Sequence, residues 1–231
     1  MIAPERVFSR NIKAWGADKQ QQLANCSVLV AGVGGLGCTV AQVLVRAGVG
    51  RLILMDAGVV DEPDLNRQIL YTAADLGRPK IEVAAEKLAA IHQQTTIVTL
   101  SMRLEDDPVH LRAARQYAFH GIADCFDTFR SRFVLEKLLT PEQFYVHGGV
   151  LNNYGQITTI KQGVTRSLRE LYANAEDPTD TPLPVCPSIV ICVGTLLAHE
   201  VLNNLWGAPQ LLNTMLIVEL SDFTFSKLTL S

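Results

Sequence analysis

The 231 residues are 48% hydrophobic and 19% charged, a balance that suits one globular domain with a large core and argues against extensive disorder. Lys and Arg number 20 against 23 Asp and Glu, and the formal net charge of −3 gives no broad cationic field for holding nucleic acid. Polar residues across 1–10 do not make a cleavable leader, the apolar run 189–198 is shorter than the roughly 20 residues that span a bilayer, and five scattered cysteines without a CxxC pair suit a reducing cytoplasm.

In chain order, Ile12, Trp15 and Leu23 among Gln and Lys predict an amphipathic helix over 11–23. A strand at 28–31, a glycine turn, an apolar helix at 36–47 and a strand at 51–56 make a βαβ unit of a parallel sheet. The segment 75–80 opens a further helix, with Pro79 suited to its first turn and Ile81, Ala84, Ala85, Leu88 and Ile91 at helical spacing. A strand near 97–100, a helix from Pro108, a strand from Ile122 ending at Asp127 and a helix over 131–139 continue the alternation.

Strands at 144–147 and 156–160 then read as a hairpin through Asn152-Asn153-Tyr154-Gly155, residues that accept the positive φ of tight turns. Acidic and proline-rich 163–187 predicts an exposed, mobile crossing loop, followed by a helix at 188–205 and two short strands. The expected fold is therefore Rossmann-like α/β: one domain over 1–231, its sheet mostly parallel and flanked by helices, with antiparallel strands toward the C-terminus.

Gly32-Val-Gly34-Gly35-Leu-Gly37 places G-x-G-x-x-G between strand and helix, and Asp56 closes the next strand. Such glycines let amides and a helix N-terminus approach phosphate, and an acid at that place accepts from ribose hydroxyls. The fingerprint serves ATP or NAD equally. Downstream stand Asp64-Leu-Asn66-Arg67-Gln68, Gly77-Arg78-Pro79-Lys80 and Asp124-Cys-Phe-Asp127. Carboxylate attack on an α-phosphate needs Arg, Lys and a metal ion against the growing charge, whereas hydride transfer does not. Asp127, at a strand's C-terminal end, could hold Mg²⁺ or simply cap the next helix. Arg67 and Lys80 could each be ordinary surface cations, and their joint occurrence lifts them above that.

On these residues, with Arg6-Val-Phe-Ser-Arg10 and Gly155-Gln156-Ile157-Thr158, the chain resembles the ThiF/MoeB/HesA family of ubiquitin-activating-enzyme-like adenylyltransferases over about 6–205. The resemblance implies that Gly32, Gly34, Gly35 and Gly37, with Asn66 and Gln68, cradle ATP and that Asp56 binds its ribose. It also implies that Arg67 and Lys80 contact phosphates and that Asp127 coordinates Mg²⁺. Arg10 matches a position that reaches into the other subunit's site, which implies a homodimer. The implied reaction adenylates the C-terminal glycine of a small ubiquitin-like sulfur-carrier protein ending in Gly-Gly and releases pyrophosphate.

Three departures stand out. Asp64 replaces the family's usual Asn and adds negative charge beside the triphosphate. The two CxxC pairs that usually hold structural zinc are absent, so no zinc is expected. Asp180 falls near the family's crossing-loop cysteine, which leaves Cys186 as the loop candidate for a nucleophile, set against a loop cysteine without chemistry. Cys26, Cys38, Cys125 and Cys192 sit on apolar elements and read as core, and His147 reads as pocket-lining or structural.

Other readings are a dehydratase that adenylates a modified tRNA nucleoside (threonylcarbamoyladenosine), an NAD-dependent oxidoreductase, and the inactive half of a heterodimeric activating enzyme. The acidic balance argues against the first. The cations and Asp127 argue against the second, and the complete ATP set with Arg10 against the third.

Overall fold

The structure, a computed structural model, describes residues 4–177 and 183–230. Two-sided burial organises its first half. In β1 (Ser27–Ala31), Val28 and Val30 join one apolar cluster while Leu29 and Ala31 join another, and in β2 (Arg51–Asp56) Leu52 and Leu54 oppose Ile53 and Met55 in the same way. Such strands need helices on both faces. One face is covered by α3 (Ala17–Ala24), α4 (Gly35–Ala47), α5 (Lys80–Ile91) and α9 (Pro187–Leu205), and the other by α6 (Pro108–Arg115), α7 (Phe129–Glu136) and α8 (Leu168–Leu171). Short α1 (Pro4–Val7) and α2 (Ser9–Trp15) precede them.

Among the described residues, eight strands form one sheet in the order β3-β2-β1-β4-β5-β6-β7-β8. Here β3 is Thr96–Ser101, β4 Gly121–Asp124, β5 Phe144–Leu151, β6 Tyr154–Ile160, β7 Thr214–Glu219 and β8 Thr224–Thr229. Pairing is parallel from β3 through β5 and antiparallel from β5 to β8. The order reverses between β1 and β4, and ligands of open α/β sheets bind at such a point, beyond the strands' C-terminal ends.

The fold agrees with the expected class, and local differences have physical causes. The helix expected over 11–23 is two helices, because Gly16 at φ +92° ends α2 and starts α3. β4 stops at Asp124 rather than running to Asp127, since the Asp124 carboxylate accepts the Phe126 amide at 3.1 Å and turns the chain. Thr128, not Asp127, then caps α7 by accepting from the Ser131 amide, so that helix spans Phe129–Glu136 instead of 131–139. The hairpin strands are longer than expected, and only Asn152 and Asn153 join them, with Asn152 at φ +54°.

Within 163–187, α8 carries a Ser167/Glu170 capping box and buries Leu168. Val185 bridges to Asn152. Asp180, with Pro178 and Pro182, lies outside the described residues. The 19-residue α9 extends well beyond the apolar run 189–198, and by length and composition alone it could cross a membrane. Its Ile189, Val193 and Leu197 are fully buried in the core, with Gly194 against Thr39 of α4.

Candidate active site

The turn after β1 is built by close backbone approach. Gly32 takes φ +89° and donates its amide to Met55 O at 2.8 Å, and a β-carbon on Gly37 would lie 1.9 Å from Gly32 O. Only glycine fits such a crossing. α4 begins at Gly35 with no side-chain cap, so its first amides face the C-terminal edge of the sheet, an arrangement suited to an anion. Asp56 fixes the turn from β2: its Oδ2 accepts from Val33 N at 2.8 Å and its Oδ1 from Gly58 N at 2.7 Å.

Two expected cations meet beside this turn. Lys80 Nζ lies 2.9 Å from Asp64 Oδ2, and Arg67 Nη2 lies 3.9 Å from Asp64 Oδ1. Gln68 Nε2 donates to the same Oδ1, while Arg67 Nη1 also donates to Pro63 O at 2.8 Å and to Asn66 Oδ1 at 2.9 Å. Their stems flank the glycines. A β-carbon on Gly35 would sit 3.6 Å from Arg67 Cγ, one on Gly34 3.7 Å from Gln68 Nε2, and one on Gly58 3.4 Å from Lys80 Cδ. The structure thus gathers Gly34, Gly35, Asp56, Asn66, Arg67, Gln68 and Lys80 at one edge.

Tyr71, which sequence reasoning did not single out, braces this group by donating toward Val33 O at 2.7 Å and Lys80 O at 3.3 Å. Nothing in its local pattern separates it from a core aromatic. Burial holds its hydroxyl well above the usual phenol range, so it remains a donor.

Asp127 belongs to the loop after β4, whose Cys125 and Phe126 pack against Gly32. The preceding Phe126 packs there, its Cδ1 3.3 Å from where a Gly32 β-carbon would stand, and the Asp127 side chain is exposed. This loop is held from beneath by Arg132, also missed in the sequence, whose Nε and Nη2 donate to Phe126 O at 3.1 and 2.7 Å and whose Nη2 donates to Gly148 O at 3.1 Å. Arg132 Nε is 3.5 Å from Asp124 Oδ2, which also meets His147 Nδ1 at 2.7 Å. His147 is therefore a fully buried structural histidine rather than an open wall of the site. Burial holds its pKa below the usual histidine value, although the hydrogen bond to Asp124 acts in the opposite sense.

Among the described residues no three His, Cys, Asp or Glu are grouped to hold a metal. The donor set nonetheless suits Mg²⁺ brought with a triphosphate, because that ion takes one or two protein carboxylates and completes its shell with phosphate oxygens and water. Asp127, exposed in the loop after β4, is the carboxylate that the sequence offers for that role.

Arg10 is not joined to this cluster. It is exposed on α2, and α2 docks at the far end of α4, where Phe8 packs on Gly48 and Asn11 donates to Arg46 O at 3.0 Å. Thirteen helical residues, about 20 Å, separate that end from the glycine turn.

Cys186 is the N-cap residue of α9, one turn before Val190, whose Cγ1 would meet a Gly35 β-carbon at 2.7 Å. It therefore stands near the site, partly buried. Cys26, Cys38 and Cys125 are core residues, and burial pushes the Cys38 thiol up to about 12, but Cys192 is only partly buried. Cavities of about 320 Å³ near Lys161 and about 310 Å³ near Gly48 open at the opposite edge of the sheet.

The chain is similar to known proteins over most of its length. The chain is 32% identical over 212 residues to the molybdopterin-synthase adenylyltransferase of Salmonella typhimurium, covering 87% of this chain and 83% of that protein. It is 30% identical over 228 residues to the sulfur carrier protein adenylyltransferase of Thermus thermophilus, covering 93% and 82%. It spans only 53% of a "Probable molybdopterin-synthase adenylyltransferase" of Porphyra purpurea, at 28% identity over 207 residues, or 86% of this chain. The crystal structure of E. coli MccB with ATP superposes with a TM-score of 0.81 over 100% of this chain and 74% of that one, at 19% identity, which speaks for the fold alone. The sequence model of the ThiF family matches residues 8–231, and the chain belongs to that family.

Proposed function

We infer that this chain is an ATP-dependent adenylyltransferase that activates the C-terminal glycine carboxylate of a small ubiquitin-like sulfur carrier. The observation that carries the reading is the convergence of Lys80, Arg67 and Gln68 on the glycine turn, around one carboxylate. The Thermus and Salmonella relatives, named for sulfur-carrier and molybdopterin-synthase adenylylation, support the substrate class.

The glycine turn and the first amides of α4 receive phosphate oxygens, and Asp56 orients the ribose from the end of β2. The carrier's carboxylate oxygen attacks the α-phosphorus, the bond to the bridging oxygen breaks, and pyrophosphate leaves with that electron pair. Holding carboxylate and phosphate in line supplies much of the rate, and Lys80 and Arg67 offset the charge that grows on phosphate. Asp127 would hold Mg²⁺, which neutralises phosphate charge when bound. A sulfur donor or thiol then displaces AMP, and adenylation itself requires nothing of Cys186.

Arg10, at the far end of α4, serves the site of a second subunit in a homodimer of single-domain chains. The enzyme works in the cytoplasm. ATP/pyrophosphate exchange with Mg²⁺ tests the reading, with a Gly-Gly-ended carrier, tRNA or nothing added in turn. Exchange that requires the carrier is expected. Exchange that requires tRNA, or tight NADH binding without exchange, overturns it.

A further inference from the structure

Asp64 lies at the centre of the cation cluster, and the structure shows what its charge does. The side chain is 12% exposed and serves four groups at once: Lys80 Nζ at 2.9 Å and Asp61 N at 3.1 Å on Oδ2, with Gln68 Nε2 and the more distant Arg67 guanidinium on Oδ1. Lys80, the cation expected to meet phosphate, is therefore paired with a carboxylate of the same chain. Gln68, 3% exposed and held by the same carboxylate, sets its Nε2 3.7 Å from where a Gly34 β-carbon would stand.

Resting on the nucleotide-site reading above, we propose that Asp64 is a charge-selecting positioning residue. Its carboxylate holds Lys80 and Gln68 in place before nucleotide arrives, and it penalises an entering nucleotide in proportion to its phosphate charge. Two anions then compete for one ammonium. A phosphate entering beside Gly34 and Gly35 draws Lys80 away from Asp64 or shares it, and in either case faces the carboxylate across a few ångströms of partly screened space. The penalty is greatest for metal-free ATP, smaller for ADP and least for AMP. It shrinks when a divalent cation neutralises the triphosphate, so the site favours the metal-bound nucleotide.

The test is titration calorimetry of wild type and Asp64→Asn with AMP, ADP and ATP, first in a chelator and then with magnesium. Asp64→Asn removes the charge and keeps an oxygen to accept the Asp61 amide, while its new amide group replaces the oxygen that accepts from Gln68 and is matched when the Gln68 amide turns its Oε1 toward it. The expected result is metal-free ATP binding on the order of tenfold tighter than in wild type, with a smaller gain for ADP, little change for AMP, and a reduced gain with magnesium. A merely structural role would shift all three nucleotides together. If Asp64→Asn does not fold, Asp64→Ser, which also keeps an acceptor oxygen, is read in the same way. A gain independent of nucleotide charge, or weaker ATP binding in the variant, overturns the proposal while leaving the site intact. Failure of wild type to bind any of the three overturns the site assignment, and this proposal with it.

Discussion

The two halves of the sheet are built to opposite specifications. From β3 to β5 the strands run parallel, and β1 and β4 bury every residue between helix layers. From β6 to β8 they run antiparallel, and all six residues of β8 are exposed, including Phe225 at 53% and Leu228 at 52%. Parallel pairing sends the C-terminal ends of β1, β2 and β4 to one edge, so that Gly32, Asp56 and the loop to Asp127 meet there. Antiparallel pairing alternates strand ends and gathers no such set. Chemistry is therefore assigned to the first half, while the second extends the sheet.

Substitutions can break that division, and the largest effect belongs to Asp127. Asp127→Ala should lower Mg²⁺-dependent ATP/pyrophosphate exchange on the order of a thousandfold while leaving the melting temperature unchanged, because the side chain is exposed. Full exchange in that variant would remove Asp127 from the metal's role. Lys80→Ala should cost about a hundredfold in the same assay, as expected when one donor to a developing phosphate charge is lost.

Glu200 sharpens the comparison by tying the halves together. Buried on α9, its Oε1 accepts from Thr159 Oγ1 of β6 and from the Gln210 and Leu211 amides, each at 2.9 Å. Glu200→Ala strands those donors and should cost about 2 kcal/mol in urea unfolding, with nucleotide affinity retained. An unchanged midpoint would show that the halves do not depend on this carboxylate.

His147 yields a smaller effect with a defined sign. Burial lowers its pKa in the folded state, so the unfolded chain binds the proton more readily. Its contribution is complete above the unfolded value of about 6.5 and is lost as pH falls through the lower folded value. Chemical denaturation of wild type and His147→Gln across that window should show this part of the decline in wild type alone. Least affected should be Phe225→Ser, which should change stability by less than about 0.5 kcal/mol because the ring is already half exposed.

The parallel half was legible in the sequence because its signals are local. The run from Val28 to Gly37 names strand, turn and helix in order, and Asp56 ends the next strand as its position implies. Lys80 and Arg67 were recognisable in combination, since neither alone differs from a surface cation. Tyr71 and Arg132 escaped notice because their roles are set by partners that sequence spacing does not reveal. Tyr71 reaches Val33 across 38 positions, and Arg132 joins the β4 loop to β5. Boundaries failed where one side chain redirects the backbone, as Asp124 does on the Phe126 amide, or where Gly16 divides a helix that apolar spacing alone would continue. Asp64 was visible as a departure, but its hold on Lys80 required coordinates.

Mass analysis of a Gly-Gly-ended carrier after brief incubation with ATP, Mg²⁺ and the enzyme tests the central assignment most directly. An AMP adduct on the carrier's terminal carboxylate, formed by wild type and not by Lys80→Ala, is the predicted result. A carrier left unmodified by wild type, or modified equally by both proteins, would contradict it.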